Sequence, residues 1–142
     1  MSSIMYNYGK GEFLNGNIDW VNDTINMGLN TTSYTADPDH EFPGDTGGPA
    51  DTGKESTGTG YVRKSLASKT VTVNDTDDRA EVDAADVTWT GLNCGTIAGA
   101  FVLQHVVDDT DSPLICWLDF ADLTTNGGDV TLQFASAGLF YL

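Results

Sequence analysis

Basic side chains are scarce in this chain: six lysines and arginines stand against 21 aspartates and glutamates among 142 residues, a formal charge of −15. Affinity for phosphate backbones comes from Lys and Arg, so nucleic acid is excluded as a partner. Cysteine is equally sparse. Cys94 and Cys116 are too few for a thiolate metal site or a disulfide scaffold, and they read as small buried hydrophobes or as one Cys94–Cys116 bridge. Two histidines, His40 and His105, together with two cysteines at these spacings match no familiar zinc arrangement. No apolar run reaches the roughly 18 residues that span a bilayer, and the N-terminus lacks the basic head and apolar core of a signal peptide. The expectation is a soluble single domain over residues 1–142, with no membrane, metal or cofactor.

The few bases are unevenly placed. Lys54, Arg63, Lys64, Lys69 and Arg79 share one stretch, Lys10 is the only other, and the last third is purely acidic. Such a surface repels itself in dilute buffer, a cost that salt near 1 M screens over a Debye length of about 3 Å. The composition resembles that of proteins from halophilic archaea and their viruses; an acidic mesophilic protein kept soluble by its charge is the plainer reading.

What is present is β patterning. In residues 69–90, KTVTVNDTDDRAEVDAADVTWT, apolar residues fall at every second position (Val71, Val73; Ala80, Val82; Val87, Trp89) between acidic turns, which predicts a three-stranded meander with one buried face. Residues 6–15 predict a short helix with Tyr6, Phe13 and Leu14 near one side, stopped by Gly16-Asn17. Ile18 and Trp20 then open a hairpin whose second arm, Thr24 to Asn30, carries Ile25, Met27 and Leu29 at alternate positions. The run Thr96 to Val107 is too apolar for a surface strand; its β-branched content and Gly99 predict a central strand buried on both faces, or one bent by a bulge. Leu114 to Phe120 predicts a strand with Leu114, Cys116, Leu118 and Phe120 on one side and Ile115 and Trp117 on the other. The turn Asn126-Gly127-Gly128-Asp129 leads to a return strand, Val130 to Phe134, and Gly138 to Leu142 closes the chain as a short strand.

Eight or nine strands with closely spaced turns predict an all-β fold, an antiparallel β-sandwich of jelly-roll-like form with a short N-terminal helix. Between them, residues 31–59 are rich in Thr, Ser, Gly, Asp and Pro. They predict a long polar loop, or an arm that orders on binding with Phe42 as its anchor.

Candidate chemistry is thin. A Cys94–His105 nucleophile and base would need the two side chains to converge. The clusters Asp75/Asp77/Asp78 and Asp108/Asp109/Asp111 lack the Gly and Glu spacing of a calcium loop and read as solvated turns. Gly58-Thr59-Gly60 is not a phosphate loop. Asn22, Asn30 and Asn74 open glycosylation sequons that matter only outside a cell. The reading is a non-enzyme.

The segments YNYGKGEFLNGNIDWVNDTINMGL, GTGYV and KTVTVNDTDDRAEVDAADVTW together resemble a family of small virion proteins of tailed bacteriophages and archaeal tailed viruses, of the capsid decoration or cement type. The family pattern falls here on Ile18 to Ile25, Gly58 to Tyr61, Thr72 to Ala80 and Val87 to Trp89, with a looser match through SPLICWLDF and NGGDVTLQF. The resemblance implies a β-sandwich made in the host cytoplasm and placed on the capsid exterior. There it would bridge capsomers by binding the major capsid protein and its own copies, as a homotrimer at threefold positions. Tyr6, Tyr8, Phe13 and Phe42 are the expected partner contacts. A tail or spike component shares the same implications, and a lectin-like binding module would instead need a concave aromatic and carboxylate site.

Overall fold

The computed structural model describes residues 3–142. In chain order these form β1 (Ile4–Met5), α1 (Asn7–Leu14), β2 (Ile25–Thr31), β3 (Lys64–Ser65), β4 (Thr70–Asn74), β5 (Arg79–Asp83), β6 (Val87–Trp89), β7 (Thr96–Gln104), β8 (Leu114–Thr124), β9 (Val130–Leu132) and β10 (Phe140–Tyr141). The fold is all-β with a single short helix among the described residues. Its strands form three antiparallel sheets, ordered β1-β8-β7-β2-β3, β10-β5-β4 and β6-β9, in a sandwich-like arrangement.

The five-stranded sheet is the centre because its middle strand has no polar face to offer water. In β7, Ile97 and Ala100 to Leu103 are all buried, as the apolar run predicts. Side chains on opposite faces of β7 enter two separate cores. Ile97, Ala100 and Val102 join Ile25, Met27 and Leu29 of β2 and Val82, Val87, Trp89 and Phe140 of the smaller sheets. Phe101 and Leu103 join Tyr6, Tyr34, Leu114 and Trp117 on the far side. At roughly 25 cal/mol per Å² of apolar area, this two-sided burial dominates the fold's stability.

Two close approaches fix the packing of this sheet. A Cβ on Gly99 would stand 2.2 Å from the Trp117 ring, and one on Gly9 would stand 2.3 Å from the Leu114 carbonyl oxygen. Glycine at 9 therefore lets α1 lie directly on β8, despite the cost of glycine inside a helix. The helix ends where expected, at Asn15 and Gly16, the latter at φ +74°. Leu14, however, is 87% exposed, because the tight seating of Gly9 turns that side of the helix away from the sheet.

Strand β8 departs from simple alternation. Leu103 pairs with Leu114 while Val102 pairs with Cys116, so Ile115 is an extra, bulged residue. The bulge sends Leu114 to the face of Trp117 and leaves Ile115 with Cys116, correcting the expected division of this strand.

The expected meander does not form as one sheet. β4 and β5 make a hairpin, but β5 takes β10 as its other neighbour, and β6 leaves to pair with β9. Consequently β9 is not the return strand of β8. Its turn docks instead on residues 91–92, where Gly127 N–H donates to Leu92 O (2.8 Å) and Gly91 N–H to Asp129 Oδ1 (2.9 Å). The segment around Ile18 and Trp20 is likewise not a strand but a surface turn that buries only those two side chains.

The polar loop is also not a free arm. It carries Tyr34 into the second core and is tied down by Asn30, whose Nδ2 donates to Pro49 O (2.7 Å) and Lys54 O (3.0 Å). Asn30 Oδ1 accepts from Trp117 Nε1 at 3.2 Å. The loop serves as the second layer over the sheet, which explains how a segment without strands persists inside the domain.

Candidate functional site

The four expected contact residues separate into different settings. Tyr6 precedes α1 and is wholly buried, its Oη 2.7 Å from Tyr34 Oη. Burial pushes both phenols above their ordinary pKa, so both stay neutral hydrogen-bonding groups. Tyr6 is therefore a core residue in the isolated chain and not a surface anchor. Tyr8 and Phe42 are half-buried and meet each other, ring centroids 5.2 Å apart. The backbone before Phe42 is clamped by Asp45, whose Oδ2 accepts from Glu41 N–H (2.8 Å) and Phe42 N–H (2.9 Å). Phe13 is half-buried beside Phe140 at 5.9 Å, in the first core. Tyr8 and Phe42 can present one aromatic patch; the four do not.

Exposed apolar side chains lie elsewhere, at Leu14, at Val106 and Val107, and along β4. β4 is the edge of its sheet, with Val71 51% and Val73 73% exposed. Opposite Val73 is Ala80, whose backbone pairs in both directions with Leu142, itself 54% exposed. The hairpin is held in shape by its polar groups. Asn74 Oδ1 accepts from Thr76 and Asp77 N–H (both 3.1 Å), and Arg79 bonds Glu81 at 2.7 Å while lying 4.5 Å from the Tyr141 ring centroid. Side-chain bonds from Asn74 and then Arg79 hold the Glu81 carboxyl below its ordinary range.

A half-buried ion-pair network braces the other sheet. Arg63 grips Glu55 (Nε–Oε1 and Nη2–Oε2, both 2.7 Å) and Asp109 (2.5 and 2.8 Å), with its guanidinium 5.1 Å from the Phe101 ring centroid. Burial alone would lower this guanidinium's pKa, but bonds to Glu55 and Asp109 more than offset it and drive it up. Tyr61 Oη donates to Glu55 Oε1 (2.6 Å) and accepts from Leu29 N–H (3.0 Å). Sequence reading had no signal for this cluster, since its most distant bonded pair, Arg63 and Asp109, lies 46 positions apart.

The reactive pair considered above does not assemble. Cys94 precedes β7 and His105 follows it, so nine strand residues at about 3.3 Å each hold them roughly 30 Å apart. Both cysteines are free thiols; burial raises the pKa of Cys116. The acidic clusters are turn-makers: Asp108 Oδ1 accepts from Thr110 N–H and Oγ1, Asp111 Oδ1 from Val107 and Asp108 N–H, and Asp109 is Arg63's partner. Among the described residues no group of three or more His, Cys, Asp or Glu is arranged to hold a metal ion. Among the described residues no helix is long and apolar enough to cross a membrane. Of the sequons, Asn30 is closed by burial.

A cleft of about 400 Å³ opens between β8 and the β6-β9 pair, lined by Trp89, Ile97, Phe120, Leu123, Val130 and Leu132. It is apolar apart from Asp122 and Thr131 and converges no acid–base groups.

The motifs that carry the family resemblance fall on turns and core positions. Asp19 Oδ1 accepts from Val21 and Asn22 N–H while Asp23 Oδ2 accepts from Asp19 N–H, which locks the Ile18 to Ile25 turn. Gly58 and Gly60 take positive φ, and Trp89 Nε1 donates to Val62 O at 2.8 Å. Comparison with protein-family models, curated proteins and solved structures returns no match.

Proposed function

We propose that this chain is a structural protein of a virion, a decoration or cement protein that adheres to the capsid exterior and stabilises the shell by bridging capsomers. The supporting observation is where its apolar surface lies. In a domain of charge −15, large apolar side chains stand exposed on a sheet edge and at the C-terminus (Val71, Val73, Leu142), while the one candidate nucleophile and base are held at opposite ends of β7. Such a surface suits adhesion to protein. The sequence segments described above supply the virion context. A protein that binds only the assembled shell stabilises only that state, by mass action, and many copies multiply a modest interface.

Quantitative mass spectrometry of purified particles tests this reading. Hundreds of copies per particle are expected. A handful of copies would favour a tail or spike position, and absence from particles would end the virion reading.

A further inference from the structure

The edge strand β4 has a property that its exposure alone does not imply: its sequence is complementary to itself in reverse. Residues 69–75 read Lys-Thr-Val-Thr-Val-Asn-Asp. Laid antiparallel against a second copy about Thr72, Val71 faces Val73, Thr70 faces Asn74 and Lys69 faces Asp75, each pairing occurring twice, and Thr72 faces Thr72 once on the axis. Because side chains alternate across a strand, the two valine pairs and the two charge pairs share one face and the hydroxyl and amide groups share the other.

We infer that β4 is a homotypic docking edge, through which two copies of this chain join as a twofold dimer with a continuous sheet β10-β5-β4-β4-β5-β10. Four observations meet here. β4 has only one neighbour, so alternate N–H and C=O groups face outward along its free side. Nothing between Thr70 and Asn74 protects that edge: it has no Pro, no charge and no bulge, the devices by which soluble proteins blunt such strands. Val71 and Val73 are exposed on the face that Val82 shares with the core, so a second copy extends an existing apolar surface. Lys69 donates one bond to the Asp23 carbonyl, and its ammonium retains two further protons for a partner's carboxylate. An isologous contact closes after two copies, because it uses up the free side of β4 in both.

The contact is twofold, unlike the threefold arrangement the resemblance implies, and it rests on neither the resemblance nor the virion reading, since it is measured on the isolated chain. Whole-molecule repulsion at a charge of −15 opposes it, so association should strengthen toward about 1 M salt.

Sedimentation equilibrium across salt and protein concentration, with a charge swap, is the test. The expected result is a monomer–dimer equilibrium in about 1 M NaCl that K69E and D75K each weaken by about tenfold, and that the double variant K69E/D75K restores to within about threefold of the parent. Asp75 is exposed and Lys69 half-buried against the Asp23 carbonyl, so circular dichroism checks that each variant is folded. In parallel, Thr72→Cys in a Cys94→Ser background should oxidise to a linked dimer, because paired antiparallel residues lie about 4.5–5.5 Å apart at Cα, within disulfide reach. Val107→Cys, exposed on another surface, should not. A chain that stays monomeric to about 1 mM at all salts, a double variant no better than the singles, or equal linkage of both cysteine variants overturns the proposal.

Discussion

Strands β2 and β4 carry the same signature, apolar side chains at every second position, and meet opposite fates. Ile25, Met27 and Leu29 of β2 are sealed between β7 and the smaller sheets, whereas Val71 and Val73 of β4 stand half or more exposed. The difference is one of neighbours. β2 is flanked by β7 and β3 and covered by the β5, β6 and β10 residues of the first core, while β4 touches only β5 and lies beyond Val82, where that core ends. Alternation specifies that a strand has an apolar face; what covers the face is decided by chain segments far away in sequence.

This contrast can be broken or sharpened by substitution. Met27→Ala empties a sealed site and should cost about 2–5 kcal/mol in urea unfolding, while Val73→Ala in the dilute chain should stay within about 0.5 kcal/mol. Equal losses would erase the distinction. Asn30→Ala should come next, at about 2–3 kcal/mol, since it strands the Trp117 indole N–H and the Pro49 carbonyl and leaves the Lys54 carbonyl with the Thr31 N–H alone. A negligible loss would mean that the loop is not the sheet's second cover. Arg63→Met should cost about 1–2 kcal/mol, discounted because the network is partly exposed to solvent. Its signature is a loosened loop around Glu55, visible as faster proteolysis within residues 31–59.

Smaller effects follow from titration. Hydrogen bonds from Asn22 hold Asp19 below its ordinary range, and those from Thr110 do the same for Asp108. A carboxyl depressed in the folded state contributes stability that is present above its unfolded value and lost as pH falls through its folded value. In about 1 M salt, where general repulsion is screened, Tm should therefore decline below about pH 4. Tyr6, Tyr34 and Tyr61 have the opposite sign: burial raises them, so their contribution is whole below about pH 10 and fails as pH climbs toward their folded values. A Tm flat from pH 3 to 11 would contradict both assignments.

Much of the architecture was legible from residues. The buried run of β7 announced a central strand, Gly16 a helix stop, and the 114–120 stretch a strand. Three features were hidden for physical reasons. The bulge at Ile115 arises from register against β7, which no local pattern in β8 displays. Strand partners such as β6 with β9 and β5 with β10 are set by long-range packing, so the meander expected from adjacency divided between two sheets. The loop's role as a cover depends on Asn30, Pro49 and Lys54 meeting across turns, which composition alone represents only as polarity. Tyr6, chosen as a contact for its place near the N-terminus, is instead drawn into the second core by Tyr34. The self-complementary run of residues 69–75, by contrast, was present in the sequence throughout; only an edge position made it meaningful.

Amide hydrogen exchange across the chain tests the central claim most directly, because it reads the cover over each strand separately. At low protein concentration and low salt, amides of Ala100 to Leu103 should exchange only through global unfolding, while the outward-facing amides among Val71 to Val73 exchange orders of magnitude faster; at high concentration in about 1 M salt the latter should become protected. Protection of β4 equal to that of β7 in the dilute chain, or no gain on concentration, would contradict an account in which one sheet is sealed and the other is left open for a second copy.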